Sequence, residues 1–222
     1  MIFDDVLELA RSVSQFTIAG EGNVSVRDGD AMLIKASGST LETMTDDDLV
    51  RCDLDGNAFE GEEKKPSMEV SFHAWILKTF PEINCVCHTH PTNTIKILCS
   101  GRIRDFANKR LFPDQVVRNG TKSCIVPYAT PGAPLREEIK KSVEEFIGRN
   151  GYFPKLILLK NHGIITASAS IQEATVSTLM CEKSAEIYIG AKMLNIIQFL
   201  TPDEVAAVDT NPSEKYRREL YK

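Results

Sequence analysis

No C-x-x-C pair occurs among the six cysteines (Cys52, Cys85, Cys87, Cys99, Cys124 and Cys181), and no secretory context accompanies them. A disulfide framework is therefore not expected, and the thiols are read as buried in the core. No apolar run approaches membrane-spanning length, and Met1-Ile2-Phe3-Asp4-Asp5 carries acids where a signal peptide needs basic residues. The expectation is a cytoplasmic protein with no membrane partner. Basic clusters are missing too: the 26 Lys and Arg residues are spread along a chain of net charge -5, which leaves no electrostatic footprint for a nucleic-acid partner. Walker loops, G-x-G-x-x-G fingerprints, internal repeats and linkers are also absent.

What is present is an ordinary globular composition. Hydrophobic residues make up 42% and charged residues 26% of 222 positions, enough to bury one core without disulfides, so residues 1–222 are expected to form a single domain. Val6, Leu9, Ala10 and Val13 recur at helical spacing within Ile2–Phe16. Alternation in Asn23–Arg27 and Ala31–Lys35 around Asp28-Gly29-Asp30 predicts a β-hairpin. Leu49–Leu54 is a further strand, followed by a charged loop over residues 60–65. Pro66-Ser67 signals a helix over Ser67–Thr79, with Met68, Phe72, Trp75 and Thr79 on one face, Glu69 and His73 on an adjacent one, and a stop at Pro81.

Strands are also expected at Asn84–His90, Ser123–Val126 and Leu156–Lys160, with Cys85 and Cys87 alternating as small core hydrophobes. Helices are expected at Thr92–Cys99, at Leu135–Ile147 with Gly148 as its end, and at Ile171–Met193 along a seam of Ala174, Thr178, Cys181, Ala185 and Tyr188. Thr201-Pro202-Asp203-Glu204 has the signals of a helix start. Strands interleaved with helices point to a layered α/β fold whose sheet is at least partly antiparallel.

His88-Thr89-His90 is the sharpest local signal. Residues i and i+2 of a strand project to one face, so two imidazoles can meet one ion. His162, where a buried strand runs into Asn161-His162-Gly163, would complete the three-ligand pattern of a catalytic metal with an open position. Standing alone, His-x-His is as readily a pair of satisfied, partly buried histidines. Glu69, just inside its helix, could be a fourth ligand or a general base, or could simply answer the helix dipole. His73 reads as a histidine that packs the helix or orients a ligand. Gly20–Asn23 and Ala36–Thr40 offer backbone N–H groups and hydroxyls to an anion, although each alone is a turn.

Taken together and in order, seven stations resemble the class II aldolase/adducin family. They are Gly22-Asn23-Val24-Ser25-Val26-Arg27, Ala36-Ser37-Gly38, Leu54-Asp55-Gly56, Pro66-Ser67-Met68-Glu69 with His73, His88-Thr89-His90, Pro127-Tyr128-Ala129-Thr130 with Gly132, and Asn161-His162-Gly163. The likeness runs from about Gly22 to Tyr188. It implies a three-layer α/β/α sandwich around a mainly antiparallel sheet, in a homo-oligomer, a tetramer with active sites between subunits. The same resemblance makes His88, His90 and His162 the ligands of a divalent metal, Zn2+ first, with Mn2+, Fe2+ or Co2+ as alternatives. It makes Glu69 a carboxylate that alternates between metal ligand and acid/base, and Asn23, Ser37, Gly38 and Ser67 the contacts of a phosphate.

The implied function is that of a metal-dependent lyase cleaving a small phosphorylated ketose by a retro-aldol reaction through a metal-stabilised enediolate. Decarboxylation or dehydration of a sugar-acid phosphate and 4-epimerisation are alternatives within the family, and a non-catalytic adducin-like binding protein is one outside enzymes. The intact set of His88, His90, His162 and Glu69 weighs against the last. Aldolase members carry a catalytic tyrosine where this chain has Phe112-Pro113-Asp114, an aromatic residue where it has Pro131, and a phosphate-binding serine where it has Met68. The proton donor is therefore missing or different. Asp114 from a neighbouring subunit is the candidate substitute, against its reading as a helix cap after Pro113. Tyr216 and Tyr221 in the tail read as packing or exposed residues.

Overall fold

A computed structural model describes residues 2–220, so Tyr221 lies outside the described residues. In chain order the elements are α1 (Ile2–Val13), β1 (Asn23–Asp28), β2 (Ala31–Lys35), β3 (Leu49–Asp53), α2 (Val70–Thr79), β4 (Cys85–Thr89), α3 (Thr92–Leu98), α4 (Ile103–Asn108), α5 (Pro113–Asn119), β5 (Cys124–Val126), α6 (Ala133–Asn150), β6 (Leu156–Leu159), β7 (Ile164–Ser168), α7 (Ile171–Met193), α8 (Pro202–Thr210) and α9 (Pro212–Glu219). The strands form one seven-stranded sheet in the order β3-β2-β1-β4-β7-β6-β5. Every neighbouring pair is antiparallel except β5 with β6.

Side-chain alternation along these strands feeds two cores, one on each face. On one face Met32, Ile34, Val86, Ile157 and Ile165 pack with Phe72, Ile76 and Leu77 of α2 and Leu135, Ile139 and Val143 of α6. On the other, Val24, Leu33, Cys85 and Cys87 meet α1, while Leu156, Leu158 and Ile164 meet α3, α4 and the predicted small-residue seam of α7. Burying a leucine or isoleucine in such a layer contributes about 1.5–3 kcal/mol each. The result is the expected α/β/α sandwich with a mainly antiparallel sheet. No described helix is long and apolar enough to cross a membrane.

Four local expectations are corrected. Helix α2 begins at Val70 and not at Ser67, because Pro66 still bridges Ala36 and the Ser67 N–H donates to the Lys35 carbonyl at 3.0 Å. The end of β2 thus holds this segment extended, and Met68 is exposed instead of sharing the buried face of Phe72 and Trp75. Helix α6 runs through Gly148 and ends at Gly151, whose φ of +78° is the left-handed conformation that stops a helix cheaply. Cys99 is exposed, while the other five thiols are buried as expected.

Candidate active site

Three histidines converge because β4 is the middle strand of the sheet. His88 pairs with Asn23 of β1 on one side and with Ile165 of β7 on the other. His90 follows two residues later, on the same side as strand alternation requires. His162 sits in the turn between β6 and β7, which is closed by the Leu159 N–H donating to the Gly163 carbonyl at 2.9 Å. One ring nitrogen from each of His88, His90 and His162 lies within 4.8 Å of the others.

Two glycines make the approach possible. A Cβ on Gly163 would lie 2.5 Å from His90 Cδ2 and from the Thr89 carbonyl, and 3.2 Å from His88 Cε1. Gly22, at φ +67°, would bring a Cβ to 2.8 Å from the His88 carbonyl. Larger residues at either position would displace the histidine strand.

Glu69 stands at the N-terminal boundary of α2, in the capping position and not inside the first turn. Its Oε2 is 3.2 Å from His88 Nε2 and accepts a hydrogen bond from Asn23 Nδ2 at 2.9 Å. Its Oε1 is 3.6 Å from His162 Nε2 and, although buried, has no hydrogen-bond partner. Behind it, His73 Nε2 meets Asn23 Oδ1 at 2.5 Å and His73 Nδ1 meets Ser25 Oγ at 2.7 Å. His73 therefore does not join the triad; it is fully buried one helical turn beyond Glu69.

These groups open onto a cavity of about 220 Å³ lined by Glu21, Asn23, Lys35, Ser37, Gly38, Ser67, Met68, Glu69, His90, Pro131 and His162 among others. That is below the range of drug-sized ligand pockets, roughly 300–1,000 Å³, and suits a small metabolite. Ser37, Gly38 and Ser67 come together here from two separate segments, because Ser37 and Ser67 donate their N–H groups to the Lys65 and Lys35 carbonyls. Asn23 reaches the same cavity while its carboxamide already serves Glu69 and His73. Asp114 does not line it. Asp114 lies in the first turn of α5, where Phe112 occupies the cap, and pairs with Arg217 at 3.2 Å. The reading of Asp114 as a helix cap is thus corrected. Tyr216 is exposed.

The electrostatics favour a cation. Burial pushes the pKa of His88 and His162 down and that of His90 down to about 4, so all three imidazoles are neutral near pH 7. His88 Nδ1 faces the Ile164 carbonyl at 2.8 Å and must carry the proton, which leaves a lone pair on Nε2. His90 Nε2 is 3.0 Å from His88 Nε2, and the Glu21 carboxylate, 3.6 Å from His90 Nδ1, draws the His90 proton to the opposite side of its ring. Burial would raise the pKa of Glu69, but the charge that His88 takes up in acid, the Asn23 hydrogen bond and the charge on protonated His162 hold it below its ordinary value. Three clustered neutral imidazoles, with a carboxylate oxygen beside one of them, are a donor set that suits a divalent metal.

The family model described as Class II Aldolase and Adducin N-terminal domain matches residues 5–189. The chain belongs to the class II aldolase and adducin family. Among relatives of this family member, a 3-oxo-tetronate 4-phosphate decarboxylase from Haemophilus influenzae is 29% identical over 204 residues, covering 90% of this chain and 92% of its own. An L-fuculose phosphate aldolase from Methanococcus maripaludis is 30% identical over 174 residues, covering 78% and 87%. A solved L-fuculose 1-phosphate aldolase superposes with a TM-score of 0.81 at 24% identity, over 97% of this chain and 96% of its own. The chain is an enzyme of the class II aldolase type.

Two residues of this family member's site were missed in the sequence. Lys35 is 2% exposed, yet its ammonium donates to the carbonyls of Gly20, Ala36 and Ser39, tying together the two small-residue loops of the cavity. A charged residue ending a buried alternating strand, directly before Ala36-Ser37-Gly38, was the available signal. Glu21, which faces His90, carried no signal beyond its place in a glycine turn.

Proposed function

We propose that this protein is a metal-dependent lyase that breaks the bond between the α- and β-carbons of a small phosphorylated ketose, in the retro-aldol direction. The observation that carries this reading is the unpartnered Glu69 Oε1 beside His162, in a residue lining a cavity that also presents Ser37, Gly38 and Ser67. A divalent ion held by His88, His90 and His162 would polarise the carbonyl and hydroxyl oxygens of the substrate. We assign zinc first, since three imidazoles with an open position suit it, though they also suit manganese, iron and cobalt.

The chain's own groups do the rest. Ser37, Gly38, Ser67 and the remaining Asn23 N–H hold the phosphate, and the buried Lys35 ammonium adds positive potential beneath it. Glu69 takes a hydroxyl proton as the bond breaks and returns it to carbon. Asp114 of a neighbouring subunit in a homotetramer is our substitute for the absent tyrosine. We place the enzyme in the cytoplasm, in keeping with its unpaired thiols.

Decarboxylation of a 3-oxo sugar-acid phosphate is the second reading. It is favoured by the missing tyrosine, since loss of carbon dioxide requires no β-hydroxyl proton to be removed, and a decarboxylase stands among the relatives that span most of this chain. Product analysis by NMR with metal-loaded protein, across phosphorylated ketoses and 3-oxo-acid phosphates, decides between them. An aldehyde with a shorter ketose phosphate supports the first reading, and carbon dioxide with a one-carbon-shorter ketose phosphate supports the second. No bond cleavage in either class overturns both.

A further inference from the structure

We propose that His73 is a positioning residue: with Ser25 it forms a one-way hydrogen-bond chain that locks the Asn23 carboxamide and thereby leaves Glu69 Oε1, not Oε2, as the oxygen free to move a proton. This rests on the reading of Glu69 given above.

The direction of the chain follows from which groups can donate. An ionised carboxylate only accepts, so the 2.9 Å contact between Asn23 and Glu69 Oε2 requires the amide N–H to point at Glu69. The amide oxygen must then face His73, which obliges His73 Nε2 to carry a proton across their 2.5 Å contact. The other ring nitrogen, Nδ1, is left with a lone pair and must accept from the Ser25 hydroxyl at 2.7 Å. Each link fixes the next, and reversing the amide would set its oxygen against the carboxylate.

The surroundings keep His73 in this one neutral form. The ring is fully buried and stacks on Phe72 with centroids 4.6 Å apart. Burial lowers its pKa to about 3, so an imidazolium, which would donate at both nitrogens and break the link to Ser25, is not formed near neutrality. The backbones are fixed as well, since Asn23 and Ser25 are neighbours on one face of β1, and His73 lies one helical turn from Glu69 on α2. With Oε2 held by Asn23 and approached by His88, only Oε1 lacks a partner. A side chain that only filled space at this position would need no nitrogen.

The test uses the full-length, metal-loaded protein. Nitrogen-15 NMR of the imidazoles should show His73 protonated at Nε2 and unprotonated at Nδ1, and Ser25→Ala should move the Nδ1 signal. Finding a proton on Nδ1, or on both nitrogens at neutral pH, overturns the proposal without any activity measurement. With the compound turned over in the product panel, His73→Phe should lower kcat about 10- to 100-fold at nearly constant KM, the range seen when a group orienting an active-site ligand is lost. His73→Gln, whose amide N–H can reach Asn23, should recover most of that loss. Equal kcat in His73→Phe and the unmodified protein contradicts the proposal. If His73→Phe does not fold, the NMR assignment and Ser25→Ala still decide it. A fully active Glu69→Gln enzyme removes the functional reading while leaving the tautomer result intact, so the two failures are distinguishable.

Discussion

Gly163 lies so close to His90 that a single added carbon would meet the imidazole Cδ2 at 2.5 Å, as well as the Thr89 carbonyl. The backbone cannot yield easily there, because the Gly163 carbonyl accepts from Leu159 and closes the turn that carries His162. Gly163→Ala is therefore expected to cost about 1–3 kcal/mol, the usual penalty for overpacking, and to weaken metal binding by moving His90 or His162. Melting temperature and metal content check this together. A stable variant with full metal content would show that the turn absorbs the methyl group.

Acid should destabilise the metal-free protein earlier than its carboxylates alone would dictate. The folded pKa of His73 is lowered to about 3 from an ordinary 6.5, so as the pH falls the unfolded chain takes up this proton first. The corresponding stability is present above about pH 6.5 and is lost progressively toward pH 3, by roughly 1.4 kcal/mol per pH unit across that window. Urea midpoints measured between pH 7.5 and 4.5 should fall with a slope that is shallower in His73→Phe. Identical slopes would place the acid sensitivity elsewhere.

Much of this was legible in the residues and some was not. The alternation of β1 and β2, the seam of α7 and the His88/His90 pair are periodic signals, and periodicity survives folding because it is what packing reads. The start of α2 was misplaced because Pro66 and Ser67 look like a helix opening locally, while the pairing with Ala36 and Lys35 that keeps them extended is a contact across some thirty residues of chain. Helix α4 was not anticipated, being only 6 residues long, and α5, at 7 residues, was signalled only by the reading of a cap after Pro113; both are too short to show a period. Strand β7, Ile164–Ser168, is buried along most of its length and shows no alternation. At the site, the three metal-type histidines and Glu69 could be named from spacing and family likeness. The roles of Ser25 and Lys35 depend on what lies opposite them in space, and no single sequence displays that.

Inorganic phosphate should compete with substrate if Ser37, Gly38 and Ser67 hold a phosphate. Ser37→Ala should then raise KM and the inhibition constant for phosphate together, by about tenfold, with kcat little changed. Equal turnover of phosphorylated and unphosphorylated substrates would argue against a phosphate pocket.

Asp114 is half-exposed and paired with Arg217 on the surface, a contact worth roughly 0–1 kcal/mol. Asp114→Asn is thus expected to leave the melting temperature nearly unchanged. If Asp114 donates a proton across a subunit boundary, kcat falls by about tenfold or more in the same variant. An unchanged kcat reduces Asp114 to a surface charge in the first turn of α5.

The central claim, that Glu69 moves the proton beside a histidine-held metal, is tested most directly by one variant with two readouts. Glu69→Gln keeps the shape of the side chain and leaves His88, His90 and His162 in place. The account predicts metal content close to that of the unmodified protein and kcat lower by roughly two to four orders of magnitude. A Glu69→Gln protein that retains its metal and turns over substrate at a near-normal kcat would contradict it.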